Sequence, residues 1–460
     1  MKKRGRTWRR EATATVAPST GWMGRTEDRV LDTLAAIETG VASDVALDRT
    51  FQSSRDLGPR ERAVVSREVF GVIRARRRID GALTRACSAL GRKLSDLEPA
   101  ISSRLRVLAW LALEGADEGA LSERDAYAHK RIPGLFKRLR FEVPAEPTAR
   151  SIAELYSLPD FFVSRVVSSH GLARAEVIAK ALSLRAPLTL RVATPSARSM
   201  VAESLERELG AAIVPTSLSP WGLIVLEENA PVRATRTFEE GLIEPMDEGS
   251  QLVALAVGAR PEDAVLDACA GAGGKTLALA SMMSGGGRIV AIDPDPNKIE
   301  ELRRRARRAK LSNVEAIVAD LRELPEGLVG RFDRVLVDAP CTGSGTWRRA
   351  PDASWRVHES DLAKLVTLQA SLFHAATRAV KDDGLVVFAT CSVLDEENEV
   401  VTREVLGRDA SLEPESLERT LGPSLGAELK ATFEARVGPG PDERGPDGFY
   451  FAAVRKRARR

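Results

Sequence analysis

Apolar residues along this chain follow two different periods, and the change from one to the other divides it. Over residues 29–115 they recur at helical spacing. Val65, Val69, Val72 and Ile73 fall at i, i+4, i+7 and i+8, and Leu105, Leu108, Ala109 and Ala112 at i, i+3, i+4 and i+7. Each set makes one stripe along a helix. The first of these helices is expected to end in the basic run 74–78. A stretch of Gly, Pro and mixed charge follows at 115–150, and a domain boundary is placed near 144–149. Residues 151–185 return to helical spacing. PLTLRVA, AIVPTSL and GLIVLE then read as short strands, with a helix over about 197–209 between the first two.

From residue 249 the pattern alternates regularly. A helix over 249–258 precedes AVLDACA, a glycine turn and the helix KTLALASMM. RIVAID, a charged helix over 296–310, VEAIVAD, DRVLVDAP, a helix over 361–380 and GLVVFATC follow. Short apolar runs alternating with helices predict right-handed β-α-β crossovers and an α/β fold built on a doubly wound, Rossmann-like parallel sheet. GFYFAAVRK is expected as a last, antiparallel edge strand. The predicted plan is a disordered basic tail (1–25), an all-α domain (26–145), a small α+β connecting module (150–235) and the sheet domain (236–460).

Composition narrows the class. With 460 residues, 43% of them hydrophobic and 29% charged, the chain has the totals of a soluble globular protein with room for several cores. The net charge is only +3, but its distribution is uneven: MKKRGRTWRR, IRARRRI, ELRRRARRAK and RKRARR are dense in cations. Such clusters suit a polyanion, although solvated helix faces account for any one of them. The four cysteines form no C-x-x-C pair and the four histidines show no ligand spacing, so neither a disulfide scaffold nor a metal site is expected. The basic start runs into EATATVAPSTG rather than an apolar stretch, and no run of about 18 apolar residues occurs anywhere. A reduced, cytoplasmic monomer without a membrane segment is expected.

The first strand of the alternating region runs into Cys269-Ala270-Gly271-Ala272-Gly273-Gly274-Lys275. Glycines there let the backbone approach a ligand at a helix N-terminus. A phosphate-binding P-loop would need Gly where Cys269 stands, and the dinucleotide spacing G-x-G-x-x-G is not met. Acids close the next two strands. Asp293 could accept both hydroxyls of a ribose and Asp320 the amino group of an adenine, which fits S-adenosylmethionine (SAM). Taken singly, each Asp is an ordinary strand-end turn residue.

Two cysteines then follow two strands, in Asp338-Ala339-Pro340-Cys341 and Thr390-Cys391-Ser392. Ligands of open α/β sheets bind beyond the carboxyl ends of the strands, so one crevice receives both thiols. Buried small hydrophobes would explain either alone. Both together suit methylation of carbon 5 of a cytosine, a poor nucleophile until a thiolate adds to carbon 6. That reaction also needs an acid near ring nitrogen 3 and a base for the carbon 5 proton. A DNA cytosine methyltransferase would use a Pro-Cys nucleophile, as Pro340-Cys341 offers, but leaves Cys391 without a role.

IEPMDEGSQLVA (243–254), DACAGAGGKT (267–276), DAPCTGSG (338–345), RRAPDASW (348–355), ATCSVLDEEN (389–398) and DGFYFA (447–452) resemble the RNA 5-methylcytosine methyltransferase family, in particular its bacterial ribosomal RNA members with a NusB-like N-terminal domain. The N-terminal helices, especially 45–80 and 105–113, are similar to that domain, 115–145 match it poorly, and 155–194 are similar to the family's connecting module. Gly271-Ala272 replaces the family's usual Ala-Pro, a small-for-small change. The resemblance implies that Cys391 is the nucleophile and Cys341 assists release. It implies that Asp338 and Lys275 face the cytosine and the methyl donor, and that SAM lies along 269–275 with Asp293, Asp320 and Asp338. The implied substrate is RNA, small-subunit rRNA first, with transfer RNA or large-subunit rRNA as alternatives. A non-catalytic RNA-binding assembly factor is the rival from another class.

Overall fold

The computed structural model describes residues 25–227 and 229–458. The expected basic tail therefore lies, but for Arg25, outside the described residues. The chain divides into two compact units, residues 1–72 with 82–141, and 73–81 with 142–460.

The first unit is all helix. Its helices span Arg25–Glu38, Ser43–Ser53, Pro59–Ser88 and Pro99–Leu113, followed by three short ones at Glu118–Arg124, Ala126–Arg131 and Leu135–Arg138. Val65, Val69, Val72 and Ile73 are all buried, as their spacing predicts. The basic run does not end its helix, which continues ten residues past Arg78 to Ser88 because the apolar stripe resumes with Ile79, Ala82, Leu83 and Ala86. Helices Pro59–Ser88 and Pro99–Leu113 cross closely at Gly71, where a Cβ would lie 2.3 Å from the Trp110 ring. The short helices at 118–138 carry no long apolar period. The first two start instead at aspartate caps, with Asp117 accepting from the Ala120 N–H and Asp125 from the Ala128 N–H, both at 2.9 Å, and the third follows Gly134.

The second unit holds two sheets. In the smaller, β1 (Leu188–Val192), β2 (Ile213–Pro215), β3 (Gly222–Val225) and β4 (Ile243–Pro245) run in the order β2-β3-β1-β4, all antiparallel. The three expected strands are present. Only β4 escaped the sequence reading, because Ile-Glu-Pro is too short to show a period.

The larger sheet comprises β5 (Ala264–Asp267), β6 (Arg288–Asp293), β7 (Val314–Val318), β8 (Phe332–Asp338), β9 (Val380–Thr390), β10 (Leu412–Pro414), β11 (Glu434–Val437) and β12 (Phe449–Lys456). Its order is β10-β12-β9-β8-β5-β6-β7, with β11 also paired to β12. Strands β5 to β9 are parallel. This is the expected doubly wound sheet. Alternate side chains enter opposite cores: Val265, Leu336 and Val387 on one face, Leu266, Val335, Val337, Val386 and Phe388 on the other. β12 is antiparallel to β9, as expected, but it is not an edge. β10 and β11 cover its outer side, along residues 454–456 and 449–452. Both are too short to show a period, at three and four residues.

The chain turns from the β5-β6-β7 half to the β8-β9 half at β5, so the sheet opens a crevice between β5 and β8 at the carboxyl edge. Beyond that edge the loop after β8 is held against the loop before β12. Gly345 O accepts from the Gly448 N–H at 2.9 Å, and a Cβ on Gly345 would lie 2.1 Å from Gly448 O. Backbone blocks relief of that clash. Gly345→Ala should therefore destabilise the protein by about 1–3 kcal/mol, read as a lower midpoint in urea unfolding.

Candidate active site

Strands β5, β6, β8 and β9 end at Asp267, Asp293, Asp338 and Thr390, and Asp320 lies two residues past β7. Because these strands are parallel, all these residues reach one edge of the sheet. Strands β8 and β9 pair with Asp338 opposite Ala389, so the loops that follow carry Cys341 and Cys391 side by side. The two sulfurs are 3.4 Å apart and both thiols are free and partly exposed. The hydrogen bond with Cys391, then burial, then the charges of Cys391 and Glu397 push the Cys341 thiol well above its usual range. Cys341 therefore stays a neutral thiol in contact with Cys391.

Lys275 enters the helix Gly274–Met282 and sends its ammonium to Asp338 Oδ2 at 2.6 Å. Burial opposes its charge, but the Asp338 carboxylate and that hydrogen bond outweigh burial, with a further contribution from Cys391, and the net shift is upward. Lys275 thus stays charged and joins the cysteine pair to Asp338. Its Nζ also stands 5.2 Å from the centre of the Phe449 ring.

The glycine-rich turn wraps the end of β5. Gly271 and Gly273 adopt positive φ (54° and 86°), and a Cβ on Gly273 would meet Leu302 at 2.5 Å. Nothing lies within 4 Å of the Cβ positions of Gly271 and Gly274, so the loop is open there. Asp293 Oδ2 accepts from the Gly271 N–H at 3.0 Å, tying the loop to β6, and Oδ1 accepts from Asp295 N–H at 3.0 Å. Arg305 supports it from beneath, donating to Ala272 O at 2.7 Å and to Glu244 at 3.1 Å. Asp320 is gripped by Arg322, whose Nε lies 3.0 and 3.1 Å from its oxygens and holds the carboxyl below its usual range. Burial first, and then the surrounding aspartates, push the Cys269 thiol up, so it stays neutral. All the predicted site residues thus sit on one sheet edge.

Asp267 was not anticipated from sequence as a site residue. Its Oδ2 accepts from the Thr276 hydroxyl at 2.7 Å, while Oδ1 is buried without a partner. An orphaned carboxylate oxygen at the mouth of the glycine turn suits the ammonium of a methionine moiety. With the open glycine positions, Asp293 and Asp320, the residues present fit SAM. Only the position of Asp267, two residues before Cys269 at the strand end, could have signalled it.

A buried polar network ties the cysteine loops together, and sequence reasoning assigned it no role. Glu397 accepts from the Thr342 N–H at 2.8 Å and hydroxyl at 2.5 Å, and from Gln369 at 3.0 Å. Ser344 and Ser392 share a 3.0 Å hydrogen bond, and Asn398 holds the Ser392 carbonyl at 3.0 Å. The Gly345 N–H donates to the Cys391 carbonyl at 2.9 Å. Arg348 and Arg349 both grip Asp447, and Arg349 also donates to Asp247 at 2.7 Å.

The basic runs are partly structural. In the helix Pro296–Arg308, Arg303 and Arg307 pair with Glu300 and Arg304 with Glu301. Arg77 donates to Leu158 O at 2.8 Å and Asp160 at 2.7 Å. Among the described residues no group of His, Cys, Asp and Glu has the arrangement of a metal site, and no helix is long and apolar enough to cross a membrane.

Residues 254–455 match the family described as 16S rRNA methyltransferase RsmB/F. The Bacillus subtilis protein named "Probable ribosomal RNA small subunit methyltransferase B" is 28% identical over 454 residues, covering 94% of this chain and 98% of the relative. The Mus musculus 28S rRNA (cytosine-C(5))-methyltransferase is 30% identical over 324 residues, 67% of this chain and 40% of that protein. The solved structure of a methyltransferase homolog protein from Pyrococcus horikoshii superimposes with a TM-score of 0.55 at 27% identity, covering 68% of this chain and 99% of that one. Fold, site and relatives together define a SAM-dependent RNA (cytosine-C5)-methyltransferase. Within that class the chain is similar to the RsmB/F family over residues 254–455.

Burial, partly offset by Thr276, raises the Asp267 carboxyl from 3.8 to about 6. A folded-state value above the unfolded one favours the folded protein fully below the unfolded value, and the benefit is lost as pH rises through about 6. Ionised Asp267 then costs the cofactor-free fold on the order of 3 kcal/mol at pH 8. Cofactor-free Asp267→Asn should accordingly melt above the wild type at pH 8 and level with it near the unfolded value. It should bind SAM at least about tenfold more weakly by calorimetry.

Proposed function

We propose that this enzyme methylates carbon 5 of a cytosine in small-subunit rRNA through a covalent Cys391 adduct. The observation that carries the reading is the 3.4 Å approach of the Cys341 and Cys391 sulfurs beside the Lys275–Asp338 pair. When bound, SAM supplies an electrophilic methyl group. Asp293, Asp320, Asp267 and the turn 269–275 would hold it, and Lys275 at the end of that turn is bonded to Asp338.

Cys391 adds as its thiolate to carbon 6 of the cytosine and forms a sulfur–carbon bond. A proton passed from the Lys275 ammonium through Asp338 supports ring nitrogen 3 as electron density moves onto it, and it returns when the ring double bond re-forms. Carbon 5 then takes the methyl group. Adduct formation consumes the Cys391 thiolate, which removes the largest influence keeping Cys341 protonated. Cys341 can then lose its proton to water and withdraw the carbon 5 proton. The carbon 6–sulfur bond breaks, the double bond re-forms and Cys391 leaves as thiolate.

The target base must leave its stack to meet the thiol, so RNA docks mainly through phosphates. The first unit, with its NusB-like sequence, supplies that docking surface in this reading. The Bacillus subtilis relative, matched over nearly its whole length, favours small-subunit rRNA. Large-subunit rRNA is the second reading, favoured by the mouse relative.

Cys391→Ala should lower turnover by about 10^4-fold or more while leaving SAM binding intact. Turnover near the wild-type rate would refute the nucleophile. Cys341→Ala, expressed in cells, should accumulate a nuclease-sensitive band of raised mass on denaturing gels, which disappears when Cys391 is also replaced. Sequencing the trapped RNA distinguishes small-subunit from large-subunit rRNA.

A further inference from the structure

The residues on either side of Cys341 are fixed by one buried pair. Gln369, on the helix Glu359–Ala379, donates through Nε2 to Pro340 O and to Glu397 Oε1, both at 3.0 Å. Glu397 in turn accepts from the N–H and hydroxyl of Thr342. Both side chains are fully buried, at 0% exposure. Burying a carboxylate among neutral donors is costly, and an apolar pair would pack here at less cost. The pair therefore has a task beyond packing. Its contacts bracket Cys341 at residues 340 and 342, whereas the bonds that reach Cys391 directly, its carbonyl to Gly345 N–H and Ser392 O to Asn398, involve neither Gln369 nor Glu397; Thr342 also meets the Ser392 hydroxyl at 3.3 Å.

We propose that Gln369 and Glu397 are positioning residues for the release step, holding Cys341 where it can take the carbon 5 proton of the bound product. This inference rests on the covalent reading above. The Glu397 carboxylate also contributes to keeping the Cys341 proton in place before the adduct forms. Loosening the pair frees the Cys341 loop but leaves the support of Cys391 in place. Adduct formation should then survive while its breakdown slows. A purely structural role would instead lower both steps together.

The test compares Glu397→Ala, Glu397→Gln, Gln369→Leu and Cys341→Ala in the full chain, expressed in cells, with SAM binding by calorimetry confirming the folded site. Glu397→Ala and Gln369→Leu should accumulate the RNA adduct and release it roughly 10–100-fold more slowly than the wild type, the scale set by misplacing a catalytic group by about an ångström. Glu397→Gln keeps an oxygen for the Thr342 N–H and should restore most of the release rate. Should Glu397→Ala lose SAM binding, Gln369→Leu decides, because it removes one donor and leaves the carboxylate on Thr342. Variants that bind SAM but form no more adduct than the wild type overturn the inference, provided that Cys341→Ala accumulates it. Absence of adduct from Cys341→Ala as well overturns the covalent reading itself.

Discussion

The parallel pairing of β8 with β9 is the constraint on which the site depends. With Asp338 set opposite Ala389, each strand ends within a residue of the other and the two cysteine loops leave the sheet together. A slip of one residue would turn every side chain of β9 to the opposite core, moving Val387 and Phe388 into environments shaped for each other. The register that brings two sulfurs to 3.4 Å is thus fixed by hydrophobic alternation well below the site. Above the sheet, the Gln369–Glu397 pair and the serine–asparagine bonds convert that register into fixed loops.

The crevice is also organised by charge. Four aspartates reach one sheet edge, and each is managed differently. Asp293 takes two backbone N–H groups, Asp320 is held by an arginine, Asp338 by a buried lysine, and Asp267 keeps one oxygen without a partner. The last arrangement costs stability, since a buried carboxylate lacking a full set of donors resists ionisation. A sheet edge tuned in this way favours a cationic ligand at Asp267 and leaves the pair at Asp338 intact beside the thiols.

Much of this was legible in the chain. The doubly wound sheet followed from apolar runs alternating with helices, and the cysteines and strand-end acids stood out because strand ends are where such sheets bind ligands. Short elements were not legible. β4, β10 and β11 span only three or four residues, too few for a period, and the helices at 118–131 start from aspartate caps rather than apolar stripes. For the basic helix around 300–310, the solvated-face reading accounts for much of the charge. Its acids at 300 and 301 sit one helical turn or two before the arginines, so much of the apparent polyanion surface is paired within the helix. Glu397 and Gln369 were invisible for a further reason: their partners lie 55 and 29 residues away, and only the fold joins them.

In the proposed cycle, the two thiols need opposite properties at different times. Cys391 must be free of its proton at the start, and Cys341 must be free of its own only after the adduct exists. Separate environments could provide this, but here the contact makes the state of Cys341 depend on that of Cys391. The hydrogen bond to Cys391 is the largest influence holding the proton on Cys341, and it ends when Cys391 bonds to carbon. The contact with the nucleophile thereby delays the base. Such timing works only if Cys341 stays in place after its partner has moved onto the substrate. A support independent of Cys391, anchored on a separate helix through Gln369, meets that requirement.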